Sequence, residues 1–276
     1  MESDRVRLNI KTRSQIVLLA PEFDGLPFQN VIADGRRHRR LLSNAQQLRG
    51  RTYLKDSAIN PWDLSVGGCH IQPADNVSWH VLMVDDQDQV TGCLRYRKHH
   101  RNVAFSDLGL SRVANSCNHG GLVRNAVQAQ ICSALQRRLA YVELGGWAIS
   151  EALRFNGDAV RMILTVYALA QLTGGALAVT TATRRHNSAS ILKRIGGRPL
   201  SANGRDLPPY YDPKYGCEME LIEFDSTAPH PQFRDLIDDH REALSTLQLV
   251  LSDTRTQDSS PVYRGSADFQ YLQYCY

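Results

Sequence analysis

The chain has 276 residues, enough for one large domain or two small ones with a sizeable core. Hydrophobic residues make up 42% and charged residues 22%, so neither disorder nor a membrane-spanning helix is expected; no apolar run approaches the roughly 20 residues that a bilayer requires. Lys plus Arg at 32 against Asp plus Glu at 28 give a net charge of +4, too mild by itself to imply nucleic acid.

The N-terminal stretch 1–11 is charged and has neither the apolar stretch of a secretory signal nor the acid-poor character of a transit peptide, so a cytoplasmic address is expected. Two extended candidates follow, Val6–Ile10 and Gln15–Leu19, one of which should be the first strand. From Phe28 to Leu48, apolar Val31, Ile32, Leu41, Leu42 and Leu48 interleave with Arg36, Arg37, Arg39 and Arg40, which suits a surface helix with a basic side. Residues 57–77 carry Pro61, Gly67, Gly68 and Pro73 without periodicity, as an irregular connection or the rim of a pocket would. Trp79–Val84 and Gln89–Arg97 flank the acidic turn 85–88 as a hairpin, and 103–113 suits a further strand.

Leu122, Val123, Val127, Ile131, Leu135 and Leu139 recur mostly at four-residue steps, which predicts a helix over 121–139. A strand over 141–149, a helix over 157–172, a buried strand over 176–183 and a short helix over 187–195 come next. An alternating strand over 218–224 and a helix from about Phe233 to Leu251 complete the pattern. Without internal repeats, this reads as one α/β domain with a mixed sheet over 1–252, followed by a mobile polar tail over 253–276. The six cysteines show no Cys-x-x-Cys pair and no zinc-ligand spacing, and His99–His100 lacks a spaced partner; thiols and no metal are expected.

The chemistry is carried by residues 141–197, where a strand holding Glu143 runs through a loop into a helix. A helix N-terminus exposes unpaired amides and the positive end of its dipole, so a glycine-containing loop before it cradles phosphate. The loop is Arg154-Phe155-Asn156-Gly157-Asp158-Ala159. Its Arg-x-x-Gly-x-Ala spacing resembles the Gln/Arg-x-x-Gly-x-Gly/Ala acyl-CoA motif of the GNAT N-acyltransferase superfamily. The following order of helix, strand, Asn187 at a helix start and Gly196-Gly197 is similar to that family over about sixty residues.

That resemblance implies a mixed, mostly antiparallel central sheet flanked by helices, with splayed central strands that admit pantetheine. It also implies acyl transfer from acyl-CoA, or from an acyl carrier protein, to a primary amine of an amino acid or other small acceptor. By the same resemblance, Trp147, Ala148 and Ile149 line the pantetheine, the amide near Ile149 is an oxyanion donor, and residues 154–159 with Asn187 bind the donor. Glu143 occupies the general-base position; its alternative is a salt-bridged strand carboxylate. Many members place a tyrosine on the helix that here begins at Asn187, and this sequence has none there, leaving Tyr210, Tyr211 and Tyr215 as distant candidates for the general acid. The Arg-rich first helix, Arg49-Gly50-Arg51-Thr52-Tyr53-Leu54 and the insertion around 121–139 are more similar to the autoinducer-synthase and N-acyl amino acid synthase branch.

Two rival readings remain. One is a GNAT-like acyl-CoA-binding or regulatory module without turnover, and the other a nucleic-acid binder using the basic clusters 36–40 and 95–101, which the modest net charge does not favour. Those clusters could also dock an acidic carrier protein, or be solvated surface.

Overall fold

The computed structural model describes residues 14–21, 28–153, 157–185 and 187–252. The strand candidate Val6–Ile10 and the polar tail 253–276 lie outside these.

The strands in chain order are β1 (Gln15–Ala20), β2 (Val31–Ala33), β3 (Trp79–Val84), β4 (Val90–Lys98), β5 (Ala140–Ile149), β6 (Ala176–Thr183), β7 (Arg198–Pro199), β8 (Ser201–Ala202), β9 (Arg205–Asp206), β10 (Tyr210–Asp212), β11 (Cys217–Asp225) and β12 (Gln248–Leu251). The helices are α1 (Gly35–Lys55), α2 (Ser111–Ser116), α3 (Gly120–Gln136), α4 (Asp158–Leu172), α5 (Ser188–Arg194) and α6 (Arg234–Leu244). Ten strands form one sheet in the order β10-β11-β6-β5-β4-β3-β1-β12-β2, with β7 beside β11. Most neighbours are antiparallel, while β5–β6, β1–β12 and β12–β2 run parallel. This is the mixed, mostly antiparallel sheet that the sequence implied.

Strand side chains alternate between the two faces. Leu18, Val81, Leu94, Val142 and Leu144 meet α4, α5 and α6 on one face. On the other, Val17, Leu82 and Cys93 lie under α1, and Tyr141, Val179 and Leu221 under α3. The central helix α4 is buried from Met162 through Ala170, since α6 covers the side that the sheet does not. Among the described residues no helix is long and apolar enough to cross a membrane.

Four expectations change. The first helix starts at Gly35 rather than Phe28, because Asp34 caps it by accepting from the Arg37 amide at 2.9 Å, and Val31–Ala33 pair with β12 instead. Its basic side is partly internal: His38 and Arg49 are buried, and Arg37 and Arg40 pair with Asp88. Residues 103–113 form a 3₁₀ turn and α2, not a strand. The last helix ends at Leu244, and Gln248–Leu251 turn back as β12 beside β1. Cys69, Cys93, Cys117 and Cys217 carry free thiols, whereas Cys132 is disulfide-bonded, against the expectation of thiols throughout.

Candidate active site

Pairing between β5 and β6 stops at Glu143–Val179, although the strands run on to Ile149 and Thr183. The two therefore part into a wedge at their C-terminal ends. On its other edge β5 stays paired with β4, but the register shifts between Cys93–Ala148 and Arg95–Gly145, so that Leu94 faces both Gly146 and Trp147. This bulge requires glycine twice over: Gly146 has φ +63, and a Cβ there would lie 2.8 Å from Arg49 Nη1.

The bulge sets where the backbone of β5 points. The Ser150 amide donates to Thr91 O on β4 at 2.8 Å. Because N–H and C=O groups of successive strand residues point to alternate edges, Trp147 and Ile149 turn theirs into the wedge. The amide of Ile149, expected to serve as an oxyanion donor, thus faces the opening, and Ala148 is committed to β4. Indole Nε1 of Trp147 is buried there without a hydrogen-bond partner among the described residues. Leu144, Ile163, Tyr96 and Phe224 line a small apolar cavity between α4 and the paired part of β5 and β6, on the closed side of the wedge.

The mouth of the wedge leads to the N-terminus of α4. Gly157 precedes it with φ +80, a left-handed conformation that suits glycine, and Asp158 and Ala159 open its first turn. Arg154, Phe155 and Asn156 of the predicted phosphate loop lie outside the described residues. Asn187, with φ +59, precedes α5 just beyond β6. Tyrosine is absent from α5, as in the sequence reading.

Glu143 is not at the opening. It sits at the last paired position of β5, about 13 Å along the strand from Trp147. Its carboxylate accepts from the Gly109 amide at 3.1 Å and the Leu110 amide at 3.0 Å; His99 Nε2 is 2.9 Å away and Arg97 3.7 Å. Burial acts to raise this carboxyl, yet the hydrogen bond and charge of His99 and the two amides hold it below its ordinary value. A carboxylate with occupied lone pairs and a depressed pKa is a weak base. These contacts tie 105–111 to the sheet, in keeping with the salt-bridged alternative for Glu143. Glu143→Gln should lower stability by about 1–3 kcal/mol, read in a thermal melt, and leave the pH dependence of turnover unchanged. Loss of the acidic limb of that profile at unchanged stability would instead support the base assignment.

A second cluster, unanticipated as a site, lies on the α1 side of the bulge. Asp75, buried, accepts from Arg49 Nη1 at 2.8 Å and Nη2 at 2.5 Å, from Gln46 at 3.0 Å, from the Gln72 amide at 3.0 Å and from Arg95 Nη1 at 3.1 Å. Arg95 also donates to Gln72 Oε1. Burial would raise the Asp75 carboxyl, but the bonds and charge of Arg49, the Gln72 amide and the charge of Arg95 bring it far below its ordinary value. Burial brings His70 down to about 4, reinforced by the charges of Arg49 and Lys214. Burial likewise brings His80 down to about 4, and both rings are neutral near pH 7. Two guanidinium groups thus meet one carboxylate, leaving one positive charge beside Gly145 and Gly146. Arg49 Nε, Arg95 Nε and His70 Nδ1 are buried without partners among the described residues. The sequence signal for this cluster was Arg49 in the apolar stripe of Leu41, Leu42, Ala45 and Leu48.

Tyr53, one turn beyond Arg49, donates its hydroxyl to Trp147 O at 3.2 Å. Of the distant tyrosines, Tyr210 is buried under α3 and Tyr211 is exposed. Tyr215 lies within electrostatic reach of Arg95 and Arg49.

The two basic clusters do not form one face. Arg37 and Arg40 hold Asp88 just before β4 begins, whereas Arg97 and His99 engage Glu143 at its far end, about 30 Å away. Among the described residues no three His, Cys, Asp or Glu gather as a metal site.

No protein-family profile matches the sequence, and no curated protein matches it. Solved structures do. BjaI, a CoA-dependent acyl-homoserine lactone synthase solved with SAM and isopentyl-CoA, is 12% identical, with 86% of this chain and 93% of that one covered at a TM-score of 0.53. MesI, also a CoA-dependent acyl-homoserine lactone synthase, is 14% identical over 87% of this chain and 100% of that one, at 0.50. TofI, solved with an inhibitor and MTA, is 12% identical over 81% and 96%, at 0.50. At these identities the likeness is one of fold, shared with these acyl-homoserine lactone synthases.

Proposed function

We propose that this chain is an N-acyltransferase that moves an acyl group from a pantetheine thioester to the primary amine of a small anionic acceptor, with an amino acid as the natural class. The carrying observation is the wedge between β5 and β6, whose free amides adjoin a buried cluster with one unbalanced positive charge. A thioester lying along β5 would present its carbonyl oxygen to the Ile149 amide, an oxyanion donor positioned before reaction. If the donor is CoA, the start of α4, with Arg154 to Ala159, would hold its pyrophosphate. The shared fold of BjaI and MesI, both CoA-dependent synthases, supports that donor class.

On the opposite side, Arg95 and Arg49 would hold the acceptor's carboxylate, and the amine would approach the wedge past Tyr53. Attack is direct: nitrogen bonds to the acyl carbon, sulfur leaves with the bonding pair, and one proton passes from nitrogen to sulfur. The test incubates the purified protein with an acyl-CoA series and the common amino acids, reading N-acyl product by mass spectrometry. Arg95→Gln should raise the acceptor KM by about 10- to 100-fold, the worth of a charged hydrogen bond, and leave the donor KM unchanged. An equal effect on both substrates would place Arg95 outside the acceptor site. Retained acyl-CoA with no product from any amine would favour the silent binding module, for which the absence of tyrosine from α5 speaks.

A further inference from the structure

The α-carboxylate held by Arg95 and Arg49 accounts for one anion, and more positive charge stands around it than that anion uses. The turn between β10 and β11 faces the same cluster. Its Lys214 ammonium helps to keep His70 neutral, and its Tyr215 lies within electrostatic reach of Arg95 and Arg49. Arg185, just beyond β6, fixes this turn across the end of α1: Nη1 donates to Asp56 O at 3.4 Å, and Nη2 donates to Gly216 O. Its donors thus go to carbonyls, which leave its charge unneutralised. Lys214 and Arg185 are both exposed. Two carboxylates act in this region, and each faces its own segment, Asp212 accepting the Lys214 amide at 2.9 Å and Asp63 the Asn60 amide at 2.8 Å.

We propose that the acceptor is a dicarboxylic amino acid, its α-carboxylate on Arg95 and its side-chain carboxylate met by Lys214 and Arg185 from the opposite wall. This deepens the acyl-transfer reading and rests on it. The wall between the two anion sites is aromatic: the Tyr53 ring packs edge-on against His70, with centroids 5.5 Å apart and planes at 68°. Such a wall excludes water and strengthens the attraction of charges across it. His70 is uncharged and Asp75 is fully engaged by Arg49, Arg95, Gln46 and the Gln72 amide, so nothing there cancels the surplus. A neutral side chain would forgo the second contact, and a cationic one would be repelled. The same positive field favours the free amine over the ammonium, and the free amine is the form that attacks.

The test compares glutamate with glutamine and aspartate with asparagine, pairs that differ in charge and hardly in shape. In the better pair the acid should exceed its amide by about 10- to 100-fold in kcat/KM. Lys214→Gln should lower that ratio about tenfold, and Lys214→Glu should bring it below one. Lys214 is exposed, so both variants should fold, and a ratio read on one preparation is unaffected by partial unfolding. An amide used as well as its acid, or a ratio that neither variant moves, would overturn the assignment. Calorimetry with the same four amino acids and no donor separates the two readings. Tighter binding of the acid with no N-acyl product from any amine would remove acyl transfer and leave the dianion pocket standing. Equal affinity for acid and amide would overturn the pocket, whether or not the protein turns over.

Discussion

Asp75→Asn should destabilise the protein by about 3–5 kcal/mol, the cost of removing one partner from a buried ion pair. Its side chain is 1% exposed and receives hydrogen bonds from Arg49, Arg95, Gln46 and the Gln72 amide. An amide in its place supplies no charge and offers an NH₂ group to donors, so two guanidinium groups would face each other in the interior. A melt should show a fall of about 10 °C for a chain of this size. Asp88→Asn provides the contrast, because its pairs with Arg37 and Arg40 lie nearer solvent and should contribute about 1 kcal/mol or less. The acid response should change as well. The folded Asp75 carboxyl lies below its ordinary value of 3.8, so its contribution is complete above that value and is lost as pH falls toward the folded pKa. The variant should lose that part of the acid sensitivity. A melt unchanged at neutral pH would show that the cluster does not hold α1 to the sheet.

Ile149→Pro should lower kcat by about 100- to 1000-fold while the fold and donor binding persist. Proline lacks an N–H, which is costly in a strand wherever that N–H serves the ladder. At 149 it does not: the amide points into the wedge, and pairing with β4 passes through the residues on either side, as the Ser150 bond to Thr91 O shows. Ala148→Pro is the matched control, since its amide faces β4 and the substitution should damage the sheet. Circular dichroism and acyl-CoA binding separate the two effects. Near-normal turnover in a folded Ile149→Pro protein would remove that amide from the reaction.

The fold was legible wherever a period ran long enough. The alternation of Val81, Met83 and Leu94, and the four-residue steps from Val123 to Ile131, specified the hairpin and α3, and the order from β5 to α5 carried the family resemblance. Short and captured segments were not legible. Gln248–Leu251 continues the apolar run that ends α6, and four residues are too few to announce a strand. Val103 to Val113 could alternate as one, but the Glu143 carboxylate takes the amides of Gly109 and Leu110 and bends the segment into a turn and α2. Through the same contacts Glu143, whose place on the strand resembles a catalytic position, holds this loop. The charge cluster draws on Arg49, Asp75 and Arg95 from three separate segments, and of these only Arg49, within its apolar stripe, carries a signal along the chain.

The pairing of β12 between β1 and β2 carries a consequence for synthesis. β1 and β2 leave the ribosome more than two hundred residues ahead of the strand that joins them. Until Leu251 has emerged, neither can be joined to the other, and β1 carries one open edge beside β3. Contacts this distant in sequence are slow to form. The nascent chain can complete the wedge between β5 and β6 while that flank stands open to other chains, and there a chaperone would have most to protect.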